Sequence, residues 1–324
     1  MSILVTGVSG LIGSNVARML VEEDKKVIGF DVASPGPHTV IAGMAEKIPF
    51  IYGNVFDLAL LLNVVKWHKV EGIIHTAALH TFDVDSQPLE GTRINIEGTL
   101  NVLEAARIFN LKRVVCCSSA SVTGVQQDRP MESNMKESDL DLPYGSMYPI
   151  SKLTNELHVH VYREKFGVSA IICRPARVWG PGFNRWEGAL PIATMIRDAV
   201  EGRPIKLDSG GNTGFDFTYV RDVARGLIQA LEVNTTKSCV FNLSSGRLFT
   251  LSQIADFLRK EFPDLPIEIG SGKMARILTS GYHIATKPAF DITRAREELG
   301  YDPQYGLKKG IPAYIAWIKE GKYI

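Results

Sequence analysis

A tyrosine and a lysine four residues apart, Tyr148 and Lys152, are the residues whose types and spacing point most directly to chemistry. Oxidising a secondary alcohol requires a base for the hydroxyl proton, and a tyrosine with its ordinary pKa of about 10 is a poor base at neutral pH. Positions i and i+4 share one face of a helix, so the Lys152 ammonium would lie beside Tyr148 and favour its phenolate. The pair therefore predicts hydride transfer at an alcohol carbon.

The same spacing occurs again near the end of the chain, at Tyr305 and Lys309. That stretch follows neither a buried strand nor a group of serines, whereas a serine cluster around Ser119 follows an apolar run upstream of Tyr148. We therefore expect the second pair to be a chance match. Spacing alone does not identify the site.

A glycine-rich segment near the start of the chain predicts a dinucleotide site. Gly7, Gly10 and Gly13 join an apolar run to a helical pattern, where the backbone must turn tightly and approach a ligand closely. A helix that begins there can hold a pyrophosphate at its N-terminus. Asp31 ends the next apolar run, where a carboxylate would accept ribose hydrogen bonds and repel a 2′-phosphate. The segment predicts NAD rather than NADP as cofactor.

Short apolar runs alternate with amphipathic stretches through residue 175 and supply the elements that must position these residues. The alternation is typical of an α/β fold, a doubly wound parallel sheet of the Rossmann type with helices on both faces. The apolar runs predict strands at 3–5, 26–30, 50–52, 72–74, 114–117 and 169–173. The amphipathic stretches predict helices at 11–22, 57–67, 91–109 and 148–166.

Beyond residue 175 the alternation loosens, and glycine and proline separate longer irregular pieces. We expect a smaller C-terminal α/β cap that binds the substrate. A helical pattern at 220–231 and an apolar run at 239–243 predict that the chain first re-enters the sheet. The expected NAD-binding domain is therefore 1–175 plus about 215–245, and the expected substrate-binding domain is about 176–214 plus 246–324.

The composition limits the partners and the location. The chain has 324 residues, 36 basic and 35 acidic, with a formal charge of +1 and no long charge runs. This balance argues against nucleic acid and anionic membrane as partners. No apolar run has the roughly 18 residues of a membrane span, and no signal-peptide pattern opens the chain. The four cysteines have neither metal-type spacing nor the density of a disulfide scaffold. We expect a cytoplasmic protein without a metal site.

The glycine loop and the segment His75-Thr-Ala-Ala78 resemble those of the extended short-chain dehydrogenase/reductases, the family of nucleotide-sugar epimerases and dehydratases. Further matching segments follow in the family's order over nearly the whole chain, at 95–99, 118–124, 148–152, 174–182, 217–222 and 241–246. The resemblance implies that Ser119 fixes the substrate oxygen beside Tyr148, with Ser121 as a secondary candidate. It also implies that Lys152 holds the cofactor ribose.

Further site residues and an oligomeric state follow from the same resemblance. Relatives commonly pair through the helices expected at 91–109 and 148–166, so a homodimer is expected. Contacts to the cofactor are implied, in addition to Gly7, Gly10, Gly13 and Asp31, for Leu11, Ile12, Asn54, Val55, Ala77, Ala78, Asn95, Tyr148, Lys152 and Pro175.

The chain departs from the family's pattern at several substrate positions. Ala120 and Ser121 stand where dehydratases carry an acidic pair, so elimination of water is disfavoured. Arg177 replaces an asparagine and Phe215 an arginine, both of which hold the substrate diphosphate in the epimerases. Arg177 still offers a planar cation for a phosphate or a carboxylate. His80 replaces a residue that is often lysine and could donate or accept a proton near neutrality.

Three functions are compatible with these residues. We expect an epimerase of a sugar or nucleotide sugar, in which NAD takes a hydride and returns it to the opposite face of the substrate. The alternative is a dehydrogenase of a small sugar, sugar acid or hydroxy acid that releases NADH, which loss of the diphosphate contacts would favour. A non-catalytic NAD-sensing protein is disfavoured, because Tyr148, Lys152 and Ser119 are all present.

Overall fold

The computed structural model describes residues 1–124, 134–140, 146–182, 190–272, 276–279, 282–285 and 288–322. The strands in chain order are β1 Ser2–Thr6, β2 Lys26–Asp31, β3 Phe50–Tyr52, β4 Gly72–His75, β5 Arg113–Cys117, β6 Ala170–Pro175, β7 Val178–Trp179, β8 Ile205–Leu207, β9 Gly214–Phe215, β10 Thr218–Tyr219, β11 Val240–Leu243, β12 Phe249–Thr250, β13 Ile267–Ile269, β14 Arg276–Thr279 and β15 Tyr282–Ala285. The α-helices are α1 Leu11–Glu22, α2 Leu58–Trp67, α3 Thr81–Ser86, α4 Pro88–Thr92, α5 Gly98–Phe109, α6 Met147–Phe166, α7 Pro191–Val200, α8 Val220–Glu232, α9 Leu251–Glu261, α10 Thr293–Leu299 and α11 Leu307–Trp317. Shorter turns are the 3₁₀-helix Ala120–Thr123 and the π-helices Arg93–Glu97 and Ile318–Lys322.

Seven parallel strands form the central sheet in the order β11-β6-β5-β4-β1-β2-β3. The chain builds outward in one direction from β1 to β3 and in the other direction from β4 to β6. The order therefore reverses between β1 and β4, and ligands of such sheets bind at the carboxyl ends of the strands at this switch point. The expected doubly wound parallel fold is confirmed.

Strand residues alternate between the two faces of the sheet, and each face has its own apolar core. Ile3 and Val5 of β1 point into a cluster formed with α1 and α8, whereas Leu4 points into a cluster formed with α2, α5 and α6. A strand buried on both faces needs continuous apolar residues, which is why β1 has a completely buried sequence. The two layers of helices hold the carboxyl ends of the strands in fixed positions around the switch point.

A third apolar cluster lies in the C-terminal part of the chain, where α7, α9 and α11 pack around the short pairs β8–β13 and β9–β12. Trp179 and Phe215 are among its completely buried side chains. The chain enters this cluster after β6, returns to the central sheet with α8 and β11, and then enters it again. The division into two domains stays a prediction, and this separate cluster supports it.

Candidate active site

The turn between β1 and α1 brings the backbone close to the neighbouring loop. Gly7 has a φ of 71°, and a Cβ atom on it would lie 2.6 Å from the Ala77 amide nitrogen. A Cβ on Gly13 would lie 2.1 Å from the carbonyl oxygen of Gly7. Gly10 caps α1 without a side-chain hydrogen bond, and the first turn of α1 holds no acidic residue. The helix N-terminus is therefore suited to an anionic group such as a pyrophosphate.

Asp31 ends β2 beside this turn, and backbone amides fix its carboxylate. One oxygen accepts a hydrogen bond from the Ser9 N–H at 2.9 Å, and the other accepts from the N–H groups of Val32 at 2.7 Å and Ala33 at 3.3 Å. Partial burial raises the pKa of Asp31, and the amide hydrogen bonds act in the opposite direction. A carboxylate oxygen has several lone-pair sites, so the group can still accept from the hydroxyls of a ribose.

Two adjoining cavities open along the carboxyl ends of the strands. The first has a volume of about 470 Å³, and the second has a volume of about 420 Å³. The glycine turn and the segment after β4 border both, so they form one continuous cleft. Of the site residues expected from the sequence, the first cavity is lined by Gly7, Gly10, Asp31, Asn54, Val55, Ala77 and Ala78. The second is lined by Gly7, Gly10, Leu11, Ile12, Gly13, Ala78, His80, Ser119, Tyr148, Lys152, Pro175 and Arg177.

Tyr148 and Lys152 lie on α6, and Lys152 is almost completely buried in the wall of the second cavity. The Lys152 ammonium donates a hydrogen bond to the Cys117 carbonyl at 2.8 Å and lies 5.7 Å from the centroid of the Tyr148 ring. Ser119, two residues beyond β5, borders the same cavity and lies close enough to Tyr148 to influence its pKa. The tyrosine, the lysine and the serine are therefore brought together.

Burial disfavours the charged forms of both Tyr148 and Lys152. It raises the pKa of Tyr148, whereas the Ser119 side chain acts to lower it. Burial also lowers the pKa of Lys152, against the nearby thiols and Glu156, which act to raise it. The protein alone thus keeps Tyr148 protonated at neutral pH, and a further positive charge in the cleft would be needed to favour its phenolate.

Side-chain hydrogen bonds place the first turn of α6. The Ser146 hydroxyl accepts from the Tyr148 N–H at 3.1 Å and donates to the Asp85 carboxylate at 2.9 Å. The same carboxylate oxygen accepts from the Met147 N–H at 2.9 Å. A serine before a helical pattern is a recognisable N-cap. Nothing in the local sequence indicated that Asp85, on α3, would hold the start of the helix that carries Tyr148.

Asn95 lies in the π-helix Arg93–Glu97 and borders neither cavity. Its amide group brackets Leu79, donating to the Leu79 carbonyl at 3.0 Å and accepting from the Leu79 N–H at 2.8 Å. It also donates to the Ser151 hydroxyl at 3.1 Å, and this hydroxyl donates to the Tyr148 carbonyl at 2.7 Å. Contrary to the expectation from the sequence, the structure therefore does not place Asn95 in direct contact with the cofactor space. Its side chain instead connects Leu79 in the cavity wall to Ser151 on α6.

His75 connects the strands on both sides of the switch point. The Thr99 hydroxyl donates to the Asn95 carbonyl at 2.7 Å, so its oxygen accepts from His75 Nε2 at 3.1 Å. His75 Nδ1 is then left to accept from the Thr6 hydroxyl at 2.7 Å. Burial, followed by the charge of Lys152, lowers the pKa of His75 to about 3. The ring is neutral at physiological pH and serves as a fixed spacer.

Arg177 and Phe215, which the sequence presents as two separate departures from the family's pattern, are in contact. The guanidinium carbon lies 4.8 Å from the centroid of the Phe215 ring. Phe215 is completely buried and borders neither cavity, whereas Arg177 borders the second. Contrary to the expectation from the sequence, Phe215 therefore does not line the space for the substrate but packs against Arg177, which does. Burial, opposed by Asp216, lowers the pKa of Arg177 to about 10, so it is a cation at neutral pH.

His80 and Ser121 occupy different positions relative to the cleft. The His80 ring lies 4.7 Å from the Tyr148 ring, and although the residue is exposed, desolvation of the ring, followed by the charge of Lys152, lowers its pKa. It is therefore neutral at physiological pH. Ser121 borders neither cavity, and its N–H donates to the Ser119 hydroxyl at 3.1 Å. Its backbone thus orients Ser119, which the sequence did not indicate.

No group of three or more histidines, cysteines and carboxylates suited to a metal ion occurs in the part of the chain that the structure describes. Among the same residues, no helix is both long and apolar enough to cross a bilayer. A glycine turn at a helix N-terminus, a strand-end aspartate and a serine, a tyrosine and a buried lysine that line one cleft together define an NAD-dependent enzyme of the extended short-chain dehydrogenase/reductase class.

The chain belongs to the NAD dependent epimerase/dehydratase family, whose model matches residues 3–244. It is 30% identical to an uncharacterized UDP-glucose epimerase of Bacillus subtilis, YtcB, with 98% of each chain covered. It is 27% identical to a UDP-glucuronate 4-epimerase of Thermodesulfobacterium geofontis, with 98% of this chain and 96% of the relative covered. The solved UDP-glucuronic acid 4-epimerase of Bacillus cereus, in complex with UDP-glucuronic acid and NAD, is 26% identical, with a TM-score of 0.76 over 99% of each chain.

These relatives settle the general reaction. The expectations of NAD as cofactor and of an NAD-dependent epimerase are confirmed. The alternative of a dehydrogenase that releases NADH is not favoured.

Proposed function

We propose that the protein interconverts the C4 epimers of a uridine-diphosphate sugar. The observation that carries the proposal is the meeting of Ser119, Tyr148 and Lys152 at the wall of the second cavity, next to a first cavity lined by the glycine turn and Asp31. The sugar class and the carbon follow from the relatives, which include 4-epimerases of UDP-glucose and UDP-glucuronate.

Tyr148 is proposed as the base that removes the proton from the C4 hydroxyl and later returns one. When bound, NAD would supply the acceptor for the C4 hydride and the source from which it returns to the opposite face of the sugar. The charge of the oxidised nicotinamide adds to that of Lys152 and favours the phenolate, which the protein alone does not. Ser119 donates a hydrogen bond that holds the C4 oxygen beside Tyr148. Lys152 also holds the nicotinamide ribose.

The cofactor would be bound mainly by backbone and small side chains. The glycine turn and the N-terminus of α1 suit the pyrophosphate, Asp31 suits the adenosine ribose, and Pro175 borders the space for the nicotinamide. Asn95 is proposed to act through Leu79 rather than on the cofactor. Direct contacts are proposed for Gly7, Gly10, Leu11, Ile12, Gly13, Asp31, Asn54, Val55, Ala77, Ala78, Tyr148, Lys152 and Pro175.

Arg177 supports a substrate that carries phosphate. Because Arg177 contacts Phe215 and borders the second cavity, the cation that position 215 lacks is supplied from position 177 instead. We propose that Arg177 binds the diphosphate of the nucleotide sugar with its planar donor group. His80, neutral beside Tyr148, is proposed as a hydrogen-bonding contact to the sugar.

A homodimer in the cytoplasm completes the proposal. Exposed apolar side chains lie on the two helices expected to pair, with Ile108 on α5 and Ile150, Leu157 and Val161 on α6. Burial of such residues in a dimer would remove apolar surface from water. All four cysteine thiols are free, which fits a reducing compartment. The division into an NAD-binding and a substrate-binding domain at the expected boundaries is part of the same proposal.

The proposal is tested by incubating the purified protein with NAD and, separately, UDP-glucose, UDP-glucuronate, free glucose and free glucuronate. We expect the C4 epimer to form from a UDP-sugar only, with no net rise in NADH absorbance. Steady production of NADH in step with keto product would overturn the epimerase proposal, and turnover of a free sugar at equal efficiency would overturn the nucleotide requirement.

A further inference from the structure

Two residues of α6 hold the end of β5 at consecutive positions. The Lys152 ammonium donates to the Cys117 carbonyl at 2.8 Å, and one turn later the Glu156 carboxylate accepts from the Ser118 hydroxyl at 2.5 Å. The next residue along the chain is Ser119. The catalytic serine therefore leaves a strand end that is attached to the helix of Tyr148 at two points.

Glu156 is itself fixed by a buried arginine on β6. Arg174 forms a two-point ion pair with it, with Nε 2.8 Å from one carboxylate oxygen and Nη2 2.6 Å from the other, and both side chains are only 4% exposed. The remaining Arg174 nitrogen donates to the Glu137 carbonyl at 2.8 Å. Burying a charged pair at this depth removes its hydration, which offsets most of the attraction between the charges. The presence of the pair therefore points to a need for fixed geometry rather than to stability alone.

The backbone explains why this attachment bears on Ser119. Ser118 donates its N–H to the Cys173 carbonyl in the sheet, and Ser119 is extended, with φ −155° and ψ 145°. Successive side chains of an extended chain point to opposite sides. Ser118 also borders the second cavity, but Glu156 holds its hydroxyl, so the Ser119 side chain points to the opposite side of the strand end, in the cavity that Tyr148 also lines.

We propose that Glu156 and Arg174 are positioning residues which, through Ser118, hold Ser119 in line with Tyr148. Neither ion-pair side chain borders the second cavity, so both act through the strand end rather than on the substrate. The charge of Glu156 also acts on Lys152, one turn away on the same helix, and the two residues border a common void of about 10 Å³. The ion pair thus connects the three elements that meet at the site, β5, β6 and α6.

Ser118→Ala is the decisive variant, because it removes the connection to β5 and leaves the ion pair of Glu156 and Arg174 in place. We expect kcat to fall about tenfold to a hundredfold, as misplacement of a reacting group by about 1 Å commonly does. KM for the nucleotide sugar and Kd for NAD should stay within about twofold of wild type. Ser238→Ala is the matched control, since its hydroxyl also donates to a glutamate, Glu298, at 2.9 Å, away from the cleft.

A Ser118→Ala enzyme with wild-type kcat would overturn the proposal. The proposal would also be overturned if the fall in kcat came with an equal rise in KM and an equal loss of NAD affinity, and if Ser238→Ala lowered kcat to the same extent. That result would indicate a general loss of structural stability rather than displacement of Ser119. Glu156→Leu combined with Ser118→Ala should be no slower than Glu156→Leu alone, since leucine cannot accept the Ser118 hydrogen bond and both changes break the same connection. Additive losses would show that the two residues act separately.

The kinetic test rests on the proposed function, because it needs a turnover assay. Wild-type protein that converts no nucleotide sugar would overturn that function only. The positioning proposal would then be judged from crystal structures of wild type and Ser118→Ala, in which we expect the Ser119 hydroxyl to move away from Tyr148. An unchanged Ser119 position would overturn it.

Discussion

Two tyrosine–lysine pairs with the same spacing lie in different surroundings in this molecule. The Lys309 ammonium lies 4.2 Å from the Tyr305 ring centroid, closer than the 5.7 Å between Lys152 and the Tyr148 ring. Yet Lys309 is exposed, whereas Lys152 is 5% exposed. Closeness of cation and ring therefore does not distinguish a catalytic pair from one without chemistry.

The surroundings of the rings make the difference. Tyr305 precedes α11, stacks on Tyr219 at 4.6 Å and borders neither cavity, so its cation only covers a packed aromatic surface. Tyr148 meets Ser119 and the cleft instead. Solvent screens the charge of an exposed lysine, while a desolvated lysine acts strongly on its neighbours. Burial in a shared cleft, rather than spacing, gives the first pair its chemistry.

The largest expected difference between the two pairs comes from removing the hydroxyl group of each tyrosine. Tyr148→Phe should lower kcat about a thousandfold, because the proton acceptor is lost, while NAD affinity stays near wild type. Tyr305→Phe, with a ring that can still stack on Tyr219, should keep kcat within about twofold. Both are measured by epimer formation at saturating substrate. Equal losses in the two variants would end the distinction between the pairs.

Removing the lysine charge of each pair should produce a smaller difference in kcat between the two variants. Lys152→Met removes the buried charge and should lower kcat about a hundredfold, with weaker NAD binding because the ribose contact is lost. Lys309→Met, at an exposed position, should change neither quantity. Steady-state kinetics and NAD titration check this, together with melting curves that confirm folding. A Lys152→Met enzyme of normal activity would remove Lys152 from the mechanism.

A third test compares two cations that each lie over a phenylalanine ring, one at the cleft and one away from it. Arg177 over Phe215 borders the cleft, whereas Lys319 over Phe262, at 5.6 Å, is exposed and borders neither cavity. Arg177→Gln should raise KM for the nucleotide sugar about tenfold, the loss expected for a charge-assisted hydrogen bond. Arg177→Lys should lose less, and Lys319→Gln should lose nothing. An unchanged KM in Arg177→Gln would exclude its proposed contact with the diphosphate.

The contrast between buried and exposed side chains also predicts a pH effect on stability. The pKa of His75 is lowered to about 3, so between that pH and about 6.5 the unfolded chain binds a proton that the folded protein excludes. His75 should therefore contribute a fall in the free energy of unfolding of about 1.4 kcal/mol per pH unit on acidification through this range. His75→Gln should reduce that slope. Urea unfolding at several pH values measures it.

Periodic and glycine-rich segments were predictable from the sequence. The strand expected at 50–52 is β3, and the helix expected at 57–67 is α2 with Asp57 as its N-cap. Hydrophobic periodicity and local capping decide such elements. The helix expected at 91–109 instead contains the π-helix Arg93–Glu97, at the place where Asn95 brackets Leu79. That deviation coincides with tertiary contacts that no local pattern encodes.

The site was predictable to a similar degree. The glycine turn, Asp31 and the Tyr148–Lys152 pair have local signatures, and the structure places them in one cleft. The contact of Arg177 with Phe215 has no such signature, because it joins the bend between β6 and β7 to β9. The attachment of Ser118 to Glu156 joins a strand end to a helix in the same way. Only the three-dimensional structure brings these residues together.

The position of β11 in the central sheet has a consequence for synthesis of the chain. β11 pairs along β6, yet it follows β6 only after β7–β10 and the helices α7 and α8 have been made. Until Leu243 has left the ribosome, the nascent chain exposes the unpaired edge of β6, the kind of edge that recruits other strands. A fragment ending at residue 175 would keep that edge permanently, so we expect it to aggregate or to require a chaperone rather than to fold as a free NAD-binding unit.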